Sequence, residues 1–527
     1  MTTVTEIRRG EYYDSVTLLE IAQELMDVEG VLDAAVVMGT PANKGILDNA
    51  DLLTPEAEAA SADDLVIAVR AENEQAAQQA IERVAEALEA SRAPKKGTEG
   101  AAPAPRTVQA AVRQLEAPNV ALISVAGRYA AGVAREALDE DLHVFLFSDN
   151  VSVEDEIELK NLGRDRGLLV MGPDAGTAII NGVALGFANA ILTTPPTPGG
   201  VGIVAASGTG CQAVTTGLAK AGIGVTQAIG TGGRDLSSEV GGTMMIEALK
   251  ALQADRTTRV LLLVSKPPAP DVAAKVLEQL QAGDKPAVVC FLGGKKKPVL
   301  QAGALAANTL EKAALMAGEL AQGGDPDAAL KELKKRNKQL KRQAQELKSK
   351  LSKGQRYFRG LFSGGTFCYE TQLILEKMLG EGAIRSNAPL NKANRLADAN
   401  VSEGHTAVDL GEDEFTVGRL HPMLDPTLRN RRVLQEARDP ETAVIYLDIV
   451  LGYGVHPDPG GAAVEAIAEA RQLLQGEQRE VVFIAQVCGT PGDPQNATAQ
   501  EQKLEEAGVI VLPTNAAATR LAGYILR

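Results

Sequence analysis

Residues Pro198 to Cys211, Pro-Gly-Gly-Val-Gly-Ile-Val-Ala-Ala-Ser-Gly-Thr-Gly-Cys, decide how the rest of the chain is read. Val201 to Ala205 is a short apolar run of strand type, Ser207-Gly208-Thr209-Gly210 is a turn, and Gln212 onward predicts a helix of small and apolar residues. A strand feeding a Gly/Ser turn and then a helix leaves free backbone N–H groups aimed at one spot, which suits a phosphate or a carboxylate. Ser363-Gly364-Gly365-Thr366 offers the same arrangement in the second half, so two anion-binding helix starts are expected.

The totals bound the answer. With 527 residues, 45% of them apolar, 52 Gly, 25 Pro and no Trp, the composition is that of a Gly-rich α/β protein of several domains. A net charge of -15 argues against a general nucleic-acid binder. No run of 18 apolar residues spans a bilayer, and residues 1–15 lack the basic start and apolar block of a secretory signal, so a cytoplasmic protein without a membrane segment is expected. Cysteines at 211, 290, 368 and 488 have neither metal nor disulfide spacing, which predicts reduced thiols and no metal site.

Residues 1–90 alternate strands (Val4 to Arg9, Val31 to Met38, Leu65 to Arg70) with helices (Val16 to Met26, Glu72 to Leu88), a small ferredoxin-like α+β domain. Met38 to Leu47 reads as a loop around Asn43-Lys44-Gly45, either a surface turn or an anion contact. Residues 91–106 are a linker by composition. Residues 107–196 give βαβ units with a turn at Gly127-Arg128-Tyr129 and a loop at Gly172-Pro173-Asp174, a Rossmann-like domain that lacks a G-x-G-x-x-G fingerprint. Residues 197–322 form an α/β domain whose loops include Gly230-Thr-Gly-Gly-Arg-Asp235 and Gly293-Gly294-Lys295-Lys296-Lys297; the three lysines are a phosphate contact or an exposed charge cluster. Residues 323–356 hold a basic helix, Ala328 to Lys353, either a solvated linker or a docking element for an acidic partner. Residues 357–527 repeat the order of the preceding α/β domain, a diverged internal repeat.

The chemistry is expected where the glycine loops converge. Helix starts at Ser207, Gly208 and Thr209 and at Ser363, Gly364, Gly365 and Thr366 would stabilise phosphate or charge developing on an acyl or carbamoyl group. Gly232 and Gly233 shape the neighbouring loop, and Arg234 and Arg419 are candidate carboxylate or phosphate clamps. His421 is the best general acid/base candidate among four histidines, against a structural role; His143 reads as structural. Asp235, Asp448 and Asp493 are candidate orienting or proton-handling carboxylates, and Asn515 a donor to a small substrate. No Ser-His-Asp or Cys-His order supports Ser207 or Cys368 as a nucleophile.

These residues carry a resemblance. Asn119 to Lys312, through Gly172-Pro173-Asp174, Ser207-Gly208-Thr209 and Gly230-x-Gly232-Gly233, resembles the α subunit of the succinyl-CoA synthetase superfamily, a CoA-binding domain followed by a ligase domain. The second half resembles another ligase domain on the same chain. With Ser363 to Glu370, Gly418-Arg-Leu-His-Pro-Met423 and Gly489-Thr-Pro-Gly-Asp-Pro-Gln495, the whole is similar to the FdrA family. The resemblance implies a Rossmann-like CoA-binding-type domain, two flavodoxin-like ligase-type domains and the small N-terminal domain. It also implies CoA contacts near Gly127, Arg128, Pro173 and Asp174.

One departure matters. Where the synthetase carries a Gly-His-Ala-Gly segment whose histidine becomes phosphorylated, this chain has Gly293-Gly294-Lys295-Lys296-Lys297-Pro298. No ATP-grasp segment is evident. FdrA-type proteins resemble a component of oxamate carbamoyltransferase of allantoin degradation, which implies inorganic phosphate and a small anion as substrates, separate partner subunits and self-association. The alternatives are an acyl-CoA synthetase and a non-catalytic CoA- or anion-binding subunit.

Overall fold

The computed structural model describes residues 2–527 apart from 12, 14, 27, 29, 51, 93–104, 106, 126, 192–199, 417, 418 and 478. Pro198 and Gly199 of the opening stretch, most of the expected linker and Gly418 therefore lie outside the described residues. The chain divides into two compact units, residues 1–104 with 413–420, and residues 105–412 with 421–527.

In the first unit, Thr2–Arg8, Val31–Met38 and Leu65–Ala71 form an antiparallel sheet with Leu65–Ala71 in the middle. The central strand is the most buried of the three because both its edges are paired and its two faces are covered by separate apolar clusters. The order is that of a ferredoxin-like fold without its fourth strand among the described residues. The loop expected at Met38 to Leu47 is instead the helix Pro41–Asn49. Lys44 turns its ammonium to the carbonyls of Glu58 and Ala60 at 2.7 and 2.6 Å, so it caps a neighbouring segment and holds no anion.

The second unit contains three sheets. Val120–Ile123, His143–Leu146 and Val170–Met171 pair in that order, a half-sized Rossmann-like sheet. The turn expected at Gly127 is the first turn of the helix Gly127–Asp139. The hairpin Thr177–Ile180 and Val183–Gly186 leaves that layer and joins the edge of the next sheet, antiparallel to Val225–Gly230.

The next two sheets share one topology. In the first, Val225–Gly230, Gly200–Ala206, Thr258–Ser265, Ala287–Phe291 and Leu305–Ala306 run parallel in that spatial order. In the second, His405–Asp409, Tyr357–Phe362, Thr442–Val450, Val482–Cys488 and Ile510–Leu512 do the same, with Ile384–Ser386 added at the edge. Each places its first strand second in line, the flavodoxin-like order, and each first strand feeds a helix, Gly208–Lys220 or Gly365–Leu379. Such strands are buried on both faces and read as continuous apolar runs, which is why Gly200–Ala206 and Thr442–Val450 are buried throughout.

The basic helix runs Pro326–Lys348. Ala329, Leu340 and Ala344 bury one stripe of it, a helical spacing that leaves Lys331, Lys334, Lys338 and Lys341 exposed. No described helix is long and apolar enough to cross a membrane.

Candidate functional site

The helices Gly208–Lys220 and Gly365–Leu379 meet at their N-termini. Ser207 Oγ and Thr366 Oγ1 lie 2.5 Å apart, and a side chain at Gly364 would stand 2.7 Å from Thr209 Cγ2. Two positive helix ends held together repel one another unless negative charge lies between or beside them. The two ends answer this differently.

The Gly208 helix is capped by its own Ser207, whose Oγ accepts from Gly210 N at 3.0 Å. The sharp turn expected at Ser207 to Gly210 is therefore an N-cap and a first turn. Around it the loops converge at the carboxyl ends of the strands: a side chain at Gly232 would reach Pro173 O at 2.5 Å, and one at Gly176 would touch Gly208 Cα at 3.7 Å. The hydroxyls of Thr177, Thr231 and Ser265 are buried here without a hydrogen-bond partner among the described residues. Gly232 thus joins Ser207, Gly208, Thr209 and Pro173, while Gly233 and Asp174 are exposed beside them.

The Gly365 helix is entered through a carboxylate. Asp448, fully buried at the middle strand of its sheet, accepts from Ser363 N at 2.8 Å, Ser363 Oγ at 2.9 Å and Gly364 N at 2.8 Å. Burial pushes its carboxyl up, and Arg429, 3.8 Å away, pulls it back. Arg429 is itself buried and donates to the Asp448 carbonyl at 2.7 Å.

Asp409 stands beside the same helix start, at the end of His405–Asp409. A side chain at Gly365 would collide with Asp409 Oδ2, and one at Gly411 would meet His421 Nε2 at 2.8 Å and Asp409 Oδ1 at 3.3 Å, so imidazole and carboxyl crowd one point. Burial, reinforced by Glu412 and opposed by Lys266, raises the Asp409 carboxyl to about 7.

His421 is half-buried, and desolvation lowers it to about 4 against a small opposing field from Asp149. Its Nδ1 accepts from Met423 N at 3.2 Å, which places the proton of the neutral ring on Nε2, facing the Asp409 side. The expected general acid/base is thus a neutral donor near neutral pH, and the titrating group beside it is Asp409. Sequence reading passed over Asp409; its signal was an aspartate closing a strand of a parallel sheet, where ligands bind. His143 Nδ1 accepts from Leu169 N at 2.9 Å, the structural role expected of it.

Other candidates are spent on architecture. Arg234, expected as an anion clamp, donates to Glu156 at 2.9 Å and to Val151 O at 2.7 Å. Asp235 caps the helix Thr243–Ala254 through Met244 N and Met245 N at 3.2 and 2.8 Å and pairs at 2.9 Å with Lys160, whose side chain is 1% exposed. Asp493 ties Thr490 N, Asn189 and Ala190 N together at 2.7, 2.9 and 2.6 Å. Asn515 is saturated by Tyr446, Thr371, Phe367 O and Glu370 at 2.7, 3.2, 3.2 and 2.7 Å, leaving no amide donor for a substrate. The sequence could not show this, because each partner is remote in the chain. Arg419 is exposed and groups with the first compact unit. Gly127 opens its helix, and Arg128 stands exposed, 4.8 Å over the Tyr129 ring.

Paired flavodoxin-like sheets with opposed helix starts, beside a small Rossmann-like layer, define a ligase-type α/β protein of the succinyl-CoA synthetase superfamily. Comparison with known proteins agrees: residues 361–525 match the CoA-ligase family, 197–293 the CoA binding domain and 1–105 the "AllF, heavy metal-associated domain". The CoA binding match falls on the segment read from sequence as the first ligase-type domain, not on 107–196.

An uncharacterized Escherichia coli protein, YahF, is 43% identical over 506 residues, covering 96% of this chain and 95% of its own. The chain belongs to this FdrA-type family. Among solved structures, a dinucleotide-forming acetyl-coenzyme A synthetase of Ca. Korarchaeum cryptofilum, in complex with phosphate and ADP, is 15% identical with a TM-score of 0.30 over 77% of this chain and 82% of that one. ATP citrate lyase from Methanothrix soehngenii, in complex with citrate and coenzyme A, is 18% identical with a TM-score of 0.35 over 41% of each. The heavy-metal association of the N-terminal domain fits its residues poorly: 1–105 contain neither Cys nor His, and Met1, Met26 and Met38 are the segment's only sulfur donors.

Proposed function

We propose that this chain is a subunit of an oxamate carbamoyltransferase that uses phosphate to cleave oxalurate into oxamate and carbamoyl phosphate. The observation that carries the reading is the head-to-head meeting of two helix starts, one neutral-capped and one carboxylate-capped. The Lys-rich segment at 293–298, which has no histidine to phosphorylate, favours direct attack by inorganic phosphate over a phosphohistidine shuttle.

In this scheme phosphate sits on the first-turn N–H groups of Gly208 and Thr209, where the helix dipole and the Ser207 cap orient it. A phosphate oxygen attacks the carbamoyl carbon, forming the C–O bond. The C–N bond to the oxamate nitrogen breaks, and that nitrogen takes a proton. Asp409, poised near 7, supplies the proton, and His421 Nε2–H donates a hydrogen bond to the reacting group. Asp448 holds the Gly365 helix start rigid.

The test is to incubate the chain, alone and with its partner subunits, with oxamate plus carbamoyl phosphate, and to quantify phosphate and oxalurate. Product that requires this chain and both substrates supports the proposal; an assembled complex that makes none sinks it. The CoA binding match favours a second reading, acyl-CoA synthesis. There CoA would be held within residues 197–293 and would supply the acyl-accepting thiol. CoA-stimulated ATP consumption with an organic acid would select it.

A further inference from the structure

Behind the helix starts lies a cavity of about 410 Å³, within the size range of small-molecule sites. It begins at Ala213, beyond the first turn of the Gly208 helix, and includes none of Ser207, Thr209, Ser363 or Thr366. Its floor is formed by Gln486, Val487 and Cys488, at the carboxyl end of the strand Val482–Cys488. Its walls are apolar, with Ile223, Leu310, Ala314 and Phe367 among them.

The polar groups of this cavity are unevenly satisfied. Two of its acids are already served: Glu311 by Arg336 at 2.9 Å and Thr514 at 2.8 Å, and Glu370 by Leu310 N and Asn515, both at 2.7 Å. Lys220 is likewise held, by Val487 O at 3.3 Å and Glu501 at 3.2 Å. Two donor atoms are not served. Gln486 is 3% exposed, yet its Nε2 has no acceptor among the described residues, and Arg336 Nε is likewise buried without one. A buried amide donor with no acceptor is costly unless something else accepts from it. A glutamine at the carboxyl end of a parallel strand stands where ligands of such sheets are read.

We infer that this cavity is a second binding site, separate from the phosphate crevice, for a small molecule with an apolar body and a carbonyl or carboxylate oxygen that accepts from Gln486. Apolar walls take the body, and the unpartnered amide donor fixes its orientation. Whether the accepting group is a carboxylate or an amide is resolved by the probe.

Titration calorimetry on the full chain uses benzoate, benzamide and toluene, with and without saturating phosphate. Benzoate or benzamide should bind one to one, unaffected by phosphate, and toluene should bind at least tenfold more weakly. Gln486→Leu, which keeps the bulk and removes the donor, should weaken the bound probe at least tenfold and melt no lower than the parent. Equal affinity in the variant, displacement by phosphate, no saturable binding of either carbonyl probe, or a variant that melts lower or fails to fold would each overturn the inference. The last two outcomes of the variant would show the amide to be a structural prop.

Discussion

The Gly208 helix and the Gly365 helix follow the first strands of two like sheets, yet one is capped by a hydroxyl and the other through a buried carboxylate. A hydroxyl cap satisfies one N–H and leaves the positive end of the helix available. A carboxylate satisfies two N–H groups and a hydroxyl and brings its own charge. Duplicated topology therefore does not mean duplicated chemistry: the first helix start is capped by a hydroxyl, and the second is set among buried carboxyl groups.

The largest expected effect breaks the carboxylate end. Asp448→Ala strips three hydrogen bonds and strands buried Arg429, a loss of roughly 3–5 kcal/mol in chemical denaturation. Ser207→Ala should cost only about 1 kcal/mol, the worth of a helix cap. Equal losses would mean that the two ends are not differently built.

A second experiment titrates the carboxylate side. Because Asp409 is raised to about 7 in the fold, its contribution to stability is complete below its unfolded value and disappears as pH climbs through 7. The wild type should thus lose on the order of a few kcal/mol between pH 4 and 8 that Asp409→Asn does not lose. In the proposed reaction, transfer to the leaving nitrogen should fall above pH 7 in the wild type, and the variant should be slow throughout. Superimposable stability profiles would remove Asp409 from the argument.

Phosphate binding sharpens the contrast. Ser207→Ala should weaken phosphate by roughly tenfold, about 1.4 kcal/mol, measured by calorimetry. Ser363→Ala, whose hydroxyl serves Asp448, should change it little. The smallest effect belongs to Lys266→Met: losing the cation that favours ionisation of Asp409 should move the pH midpoint of stability upward by a fraction of a unit. A downward move would contradict the assigned field.

Much of the fold was legible because buried parallel strands are unbroken apolar runs. Val31–Met38 coincides with its expected bounds, and the strand Gly200–Ala206 runs one residue beyond each of its expected ends. One error fell on a glycine: Gly127 reads as a turn but starts a helix, because the close approach of the Asp149 and Asn150 carbonyls, not a bend, demands a missing side chain there. At the site, Ser207, Gly208 and Gly232 were readable from loop chemistry. Arg234, Asp235, Asp493 and Asn515 were misjudged because a polar side chain in a loop looks alike whether it awaits a ligand or a remote partner.

The sequence by itself determined the alternation of strand and helix, the repeat of one α/β order and the two glycine-rich helix starts, since these follow from local periodicity and backbone freedom. Only the tertiary structure decided that the helix starts meet, that Asp448 fills one of them and that Asp409 lies beside His421. Those relations join residues from 12 to 159 positions apart, and burial, which sets their charge states, is a property of the packed whole.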